Sequence, residues 1–151
     1  MTDILSDYER GWVESLIDSE GTLGLYKNKH KPPKTKGRSF QWWVRCFVGN
    51  TNKEFLEKAQ QIIGGRITER KTRGNRKKSF VLELSPNNLR VLLPQLLLVA
   101  KERQRKLIVE ALVLIQEHKF GRCRWYGTPN DGRLEEIWQE MKELNRKGIY
   151  G

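Results

Sequence analysis

Residues 11–24 read GWVESLIDSEGTLG, and their pattern decides how the rest of the chain is taken. Tyr8, Trp12, Val13, Leu16 and Ile17 recur at helical spacing and predict one apolar face. Gly11, Ser15 and Ser19 fall at i, i+4 and i+8, a stripe of small residues that lets two helix backbones approach closely. The helix is expected to stop at Gly21, because glycine accepts the left-handed conformation common at helix ends. Just before it stand two carboxylates, Asp18 and Glu20. A helix C-terminus carries partial negative charge, so acids there require a cation or a capping contact. A plain core helix accounts for the apolar face but not for a small-residue stripe that ends in acids.

The chain has 151 residues and a formal net charge of +11. That length predicts a single domain over residues 1–151 with one good core. The charge favours a polyanion as partner. No apolar run reaches the length of a membrane span, so no membrane is expected. The opening MTDILSDYE has neither a secretory apolar core nor an Arg-rich transit pattern. The two cysteines lack zinc spacing and disulfide density. Together these predict an intracellular protein, cytoplasmic in a prokaryote or organellar. With two histidines and two cysteines scattered along the chain, any metal must be a hard one held by oxygen.

Beyond the first helix, residues 22–27 alternate as a strand, 28–38 form a Lys/Pro/Gly loop, and 39–47 form a second strand. Thr51 and Glu54 fit a capping box. The helix that follows carries Phe55, Leu56, Ala59, Ile62 and Ile63 and ends at Gly64 and Gly65. Residues 66–71 and 78–84 make a second strand pair around Gly74 and Asn75. Ser85 and Pro86 open a further helix, which bears Leu89, Leu92 and Leu93 as far as Pro94. A long helix over 101–118, a loop over 120–132 and a last helix with Leu134, Ile137, Trp138, Met141 and Leu144 complete the chain. The order αββαββαα predicts an α+β fold: a four-stranded antiparallel sheet with helices on one face.

Strand parity then separates two faces. Leu23, Leu25, Trp42, Val44 and Cys46, with Ile67, Phe80, Leu82 and Leu84, form the core side. The open side collects Thr22, Gly24, Tyr26, Asn28, Gln41, Trp43, Arg45 and Phe47, then Arg66, Thr68, Arg70, Ser79, Val81 and Glu83. Basic loops flank it: Lys27, Lys29, Lys31, Lys34, Lys36 and Arg38 on one hairpin, Lys71, Arg73, Arg76, Lys77 and Lys78 on the other. One charge run is ordinarily a solvated face; two beside one open sheet favour double-stranded DNA, whose major groove admits a β-ribbon. Loop Lys and Arg would contact phosphates, while Asn28, Gln41, Arg45, Arg66, Thr68 and Arg70 would read base edges.

Residues 13–21, VESLIDSEG, resemble the nine-residue signature of the LAGLIDADG homing endonucleases. The match is clear from Leu16 to Gly21; Val13, Glu14 and Ser15 stand where the family has Leu, Ala and Gly. The resemblance implies a saddle-shaped sheet and site-specific cleavage of both strands of a long pseudo-palindromic duplex. It implies magnesium, with manganese or calcium as substitutes, and no small-molecule cofactor. A single signature implies a homodimer packed through Gly11, Trp12, Ser15 and Ser19. Glu20, in place of the motif's last Asp, is the implied metal ligand, with the Ser19 carbonyl beside it and Asp18 orienting the helix end. By place in the fold, Asn50 would orient water and Lys101 would stand near the scissile phosphate, with Lys53 and Arg103 as the next candidates. An intron-RNA maturase or a non-cleaving regulator on the same fold, and a ribosome-associated basic protein, are the competing readings.

Overall fold

The computed structural model describes residues 4–29, 40–71, 74, 77–117 and 131–148. Its elements run α1 (Asp7–Glu20), β1 (Gly21–Lys29), β2 (Phe40–Asn50), α2 (Lys53–Ile63), β3 (Arg66–Arg70), β4 (Ser79–Leu84), α3 (Pro86–Leu92), a 3₁₀ turn (Leu93–Gln95), α4 (Glu102–Glu117) and α5 (Asp131–Gly148). Every expected helix and strand is present, and three α-helices follow β4, so the order is αββαββααα, one helix more than αββαββαα counts. The strands make one antiparallel sheet in the order β1-β2-β4-β3.

Register places the expected core residues on the helix side: Leu23 faces Cys46, Leu25 faces Val44, and Val48 faces Leu82. All six are buried, as are Val13, Leu16 and Ile17 of α1 and Leu107, Ile108 and Ala111 of α4. Burial of one large aliphatic side chain stabilises by about 1.5–3 kcal/mol, so this layer supplies most of what holds the helices to the sheet. Tyr8 departs from the expected apolar face and is 70% exposed. Lys27 shares the parity of Leu23 and Leu25, and it turns to the helix side. There it bonds Glu135 of α5 at 3.0 Å and lies against the Trp42 and Trp138 rings, on the side of the sheet opposite Tyr26 and Trp43.

Local chemistry explains the ends of the elements. Ser6 and Glu9 form a reciprocal capping box on α1. Gly21 is not left-handed: φ −81° and ψ 152° make it the first residue of β1, paired with Val48. Glycine is needed there for space, since a Cβ would stand 2.8 Å from the Ile17 carbonyl oxygen. At the start of α2 Asn52, not Thr51, is the cap, its Oδ1 accepting the Phe55 N–H at 3.3 Å. Ser85 caps α3 with Pro86 in its first turn, as expected. β2 runs past residue 47 to Asn50, which carries Asn50 to the tip of the sheet beside the end of α1.

Candidate nucleic-acid interface and active site

The C-terminal end of α1 gathers contacts from distant parts of the chain. The Lys101 ammonium donates to the carbonyls of Ile17 (3.1 Å), Asp18 (3.1 Å) and Gly21 (2.6 Å). It supplies the cation that the helix end calls for beside Asp18. Burial pushes its pKa below the ordinary value, with Asp18 and then Cys46 opposing. Asp18 accepts the backbone N–H groups of Val99 (2.6 Å) and Lys101 (3.0 Å), and Glu14 accepts that of Leu97. The segment from Leu96 to Lys101 is in turn fixed by Glu102, which accepts from the Leu98 N–H at 2.9 Å and twice from the buried Arg105 at 2.6 Å. Arg105 also donates to the Leu93 carbonyl at 3.1 Å.

Glu20 differs from its neighbours. It is exposed, and its Oε2 accepts from Asn50 Nδ2 at 3.0 Å. Asn50 Oδ1 meanwhile accepts the Asn52 N–H at 2.8 Å. Because an amide has one acceptor end and one donor end, the backbone of Asn52 dictates that Asn50 presents N–H groups to Glu20. Ser19 turns its hydroxyl back to the Ser15 carbonyl at 2.8 Å. Gly11 and Ser15 are exposed, whereas Trp12 is half-buried against Phe55 of its own chain, with ring centroids 5.5 Å apart.

The helix-free face of the sheet carries Thr22, Tyr26, Trp43, Arg45, Phe47, Arg66, Thr68, Arg70, Ser79 and Glu83 at open-side positions. Tyr26, Trp43, Arg66, Thr68, Arg70 and the neighbouring Lys78 are exposed. Val81, expected on this face, is only 8% exposed. It sits between Gly49 and Thr68 in the ladder. The Arg70 guanidinium reaches across it, to 3.7 Å from where a Gly49 Cβ would stand. Asn28, Lys29 and Gln41 lie at the outer end of the first hairpin; Lys31, Lys34, Lys36, Arg38, Arg73 and Arg76 lie outside the described residues. Arg103 bridges to Glu140 of α5, away from the site, and Lys53 stands over the Phe80 ring.

The sequence matches no family model and no curated protein. Solved structures do match. The archaeal intron-encoded homing endonuclease I-Vdi141I, complexed with DNA, aligns at TM-score 0.70 and 19% identity over 91% of this chain and 84% of its own. The homing endonuclease I-CvuI, in complex with its target, aligns at 0.65 and 18% over 92% and 85%. The LAGLIDADG homing endonuclease I-LtrWI, bound to target DNA, aligns at 0.62 and 14% over 97% of this chain and 46% of its own. The fold is that of the LAGLIDADG homing endonucleases.

Within the LAGLIDADG fold the signature residues 13–21 occupy the second half of α1 and the first residue of β1. Glu20, Asn50, Asp18 and Lys101 converge there through four separate hydrogen-bonded contacts. Sequence reading missed three partners: Asn52, which orients Asn50; the Glu102–Arg105 pair, which sets the segment before α4; and Glu83, which bonds Arg45. The first had a signal in the Asn-x-Asn spacing ahead of a helix. The Glu102–Arg105 pair had one in its i, i+3 spacing on a helix, whereas Arg45 and Glu83 lie 38 residues apart and no local pattern announces them.

Proposed function

We propose that the chain is a site-specific DNA endonuclease acting as a homodimer, with the open sheet face on duplex DNA and Glu20 of each copy beside a scissile phosphate. The observation that carries this reading is the exposed Glu20 carboxylate, held by Asn50 at the tip of a sheet whose free face bears Arg45, Arg66 and Arg70. The structures it resembles include homing endonucleases complexed with DNA. The outward side of α1 supports a second copy: Ile4 (92%), Tyr8 (70%), Leu97 (71%) and Val99 (92%) are exposed around Gly11 and Ser15. Apolar area of that kind on a basic protein favours an interface.

The donors at the helix end suit a hard divalent ion. The Glu20 carboxylate and the Ser19 carbonyl would hold it, and magnesium, with manganese or calcium in its place, fits oxygen ligands. I-CvuI complexes formed in the presence of calcium and of magnesium. Among the described residues no group of three or more His, Cys, Asp or Glu is assembled. Such an ion polarises a phosphoryl oxygen and lowers the pKa of an attacking water. Asn50 fixes the Glu20 carboxylate and keeps a second N–H for a water. Lys101 and Asp18 brace the helix end, and Arg70 approaches the phosphates. Two chains of +11 bring 2 × 11 = +22 to the duplex, so binding falls steeply with salt. The described residues contain no helix long and apolar enough to cross a membrane.

The test is cleavage of a plasmid library in magnesium. The wild-type protein is expected to nick and then linearise plasmids at a pseudo-palindromic site. Glu20→Gln is expected to bind that site and leave it intact. Cleavage by Glu20→Gln at the wild-type rate removes Glu20 from the chemistry, and a wild-type protein that retains no duplex overturns the reading.

A further inference from the structure

Arg45 is held on the open face in a way that stability does not explain. Its Nε donates to Glu83 Oε1 at 2.7 Å, and its guanidinium lies 5.8 Å from the Tyr26 ring centroid and 5.2 Å from that of Phe47. Both charged side chains remain 39% exposed, and exposed ion pairs contribute little to folding. Arg66 stands directly opposite Glu83 across β3 and β4, yet the carboxylate takes Arg45 on the diagonal from β2. The bond to Glu83 raises the Arg45 pKa further and keeps the cation permanent. An unrestrained arginine on a strand loses much rotamer freedom when it meets a ligand; here the rings and the carboxylate have already fixed it.

The way it is fixed matters. Nε is occupied by Glu83, and the hydrogen bonds of the described residues leave Nη1 and Nη2 without a partner. Those two nitrogens form the outward edge of the fork, the edge that donates to O6 and N7 of guanine in the major groove. We propose that Glu83 is a specificity-positioning residue: it pins Arg45 so that its Nη edge reads one guanine in each half-site. This rests on the endonuclease reading above. Arg45 lies five residues before Asn50 on β2, so at about 3.3 Å per residue and about 3.4 Å per base pair that guanine falls roughly five base pairs outward from the cut.

The experiment is parallel selection of bound duplexes from a random library, in calcium at fixed salt. It compares the wild type with Glu83→Ala, Glu83→Gln and Arg45→Leu, each checked by thermal melt. The wild type is expected to show one strong guanine column per half-site at the stated distance. Glu83→Ala flattens that column by about tenfold or more and leaves the others alone. Glu83→Gln, which retains an acceptor for Nε without the charge, keeps most of the preference, and Arg45→Leu abolishes it. Equal gains in affinity for every sequence in both Glu83 variants would make Glu83 a mere repeller of phosphate and overturn the proposal. So would unchanged columns in Glu83→Ala. A wild type that enriches no duplex at all is a different failure, that of the endonuclease reading.

Discussion

Replacing Lys101 by methionine preserves the unbranched apolar stem of the side chain and removes the ammonium from the end of α1. Three bonds go with it, to the carbonyls of Ile17, Asp18 and Gly21 at 3.1, 3.1 and 2.6 Å. A hydrogen bond to a charged group contributes about 1.5–3 kcal/mol net, and three from one nitrogen do not add. A cation at a partly buried helix C-terminus contributes up to about 2 kcal/mol. Burial, the largest influence on Lys101, opposes both by pushing its pKa down, against Asp18 and Cys46. The net expectation is a loss of about 2 kcal/mol, or roughly 4–8 °C in Tm for a chain of this size. Since the folded pKa lies below the unfolded one, the unfolded chain binds that proton more tightly, and stability rises with pH between the two values. The wild-type advantage over Lys101→Met therefore grows as pH climbs through the depressed value toward 10.5. Thermal melts across pH 7–10.5, with binding and cleavage assays beside them, read all of this. The variant should hold duplex in calcium and cleave slowly in magnesium, because Glu20 has lost its firm mount. An unchanged unfolding free energy, within about 0.5 kcal/mol, together with lost cleavage would mean that Lys101 does not brace the helix end and contacts the phosphate itself.

Two other perturbations have definite signs. A Cβ at Gly11 meets nothing within 4 Å in this chain, so Gly11→Leu should stabilise the isolated subunit by about 0.5–1 kcal/mol through helix propensity while weakening self-association in sedimentation equilibrium; a dimer as tight as the wild type removes the small-residue stripe from the interface. The bond from Arg105 holds Glu102 down at about 2, so its stabilisation is complete above the ordinary 4.5 and is lost as pH falls from there to about 2. Glu102→Gln should then show a flatter loss of Tm between pH 4.5 and 2, and parallel acid profiles would count against the clamp.

What the sequence disclosed and what it hid divide along physical lines. Alternation in 22–27 and 39–47 identified the core side because burial obeys strand parity, and Leu23, Leu25, Val44 and Cys46 are all buried. The same parity already placed Lys27 with Leu23; counting it with the basic loops followed composition where geometry governed, and its partner Glu135 is 108 residues away. Val81 obeys parity yet is covered; it sits between Gly49 and Thr68, and the Arg70 side chain, two positions along β3 from Thr68, reaches Gly49 on the far side of β4. The need for a cation near Asp18 and Glu20 was visible in the helix dipole. Its capping contact to the Gly21 carbonyl spans 80 residues, and local pattern contains no such information. Thr51 and Asn52 are comparable caps, and what separates them is the Asn50 side chain taking the Asn52 N–H, a local turn whose signal lay in the Asn-x-Asn spacing.

Asp18 and Glu20 differ in how their charge is met, and that difference makes the proposed ion testable. Glu14 and Asp18 accept backbone N–H groups, with the Lys101 ammonium beside Asp18. Glu20 has the neutral amide of Asn50. A carboxylate beneath a DNA backbone repels it, by several kcal/mol at about 4 Å and an effective dielectric near 20, unless a cation stands between them. If Glu20 has that role, wild-type affinity for a fixed target duplex should be poor in chelator and rise on titration with calcium, where cleavage is suppressed. Glu20→Gln has no charge to neutralise. It should bind more tightly than the wild type in chelator and respond much less to calcium. Fluorescence anisotropy at constant ionic strength measures all four affinities, and the cycle isolates the coupling between Glu20 and the ion. Equal calcium enhancement in both proteins would place the ion elsewhere and leave the exposed carboxylate without a purpose at the helix end.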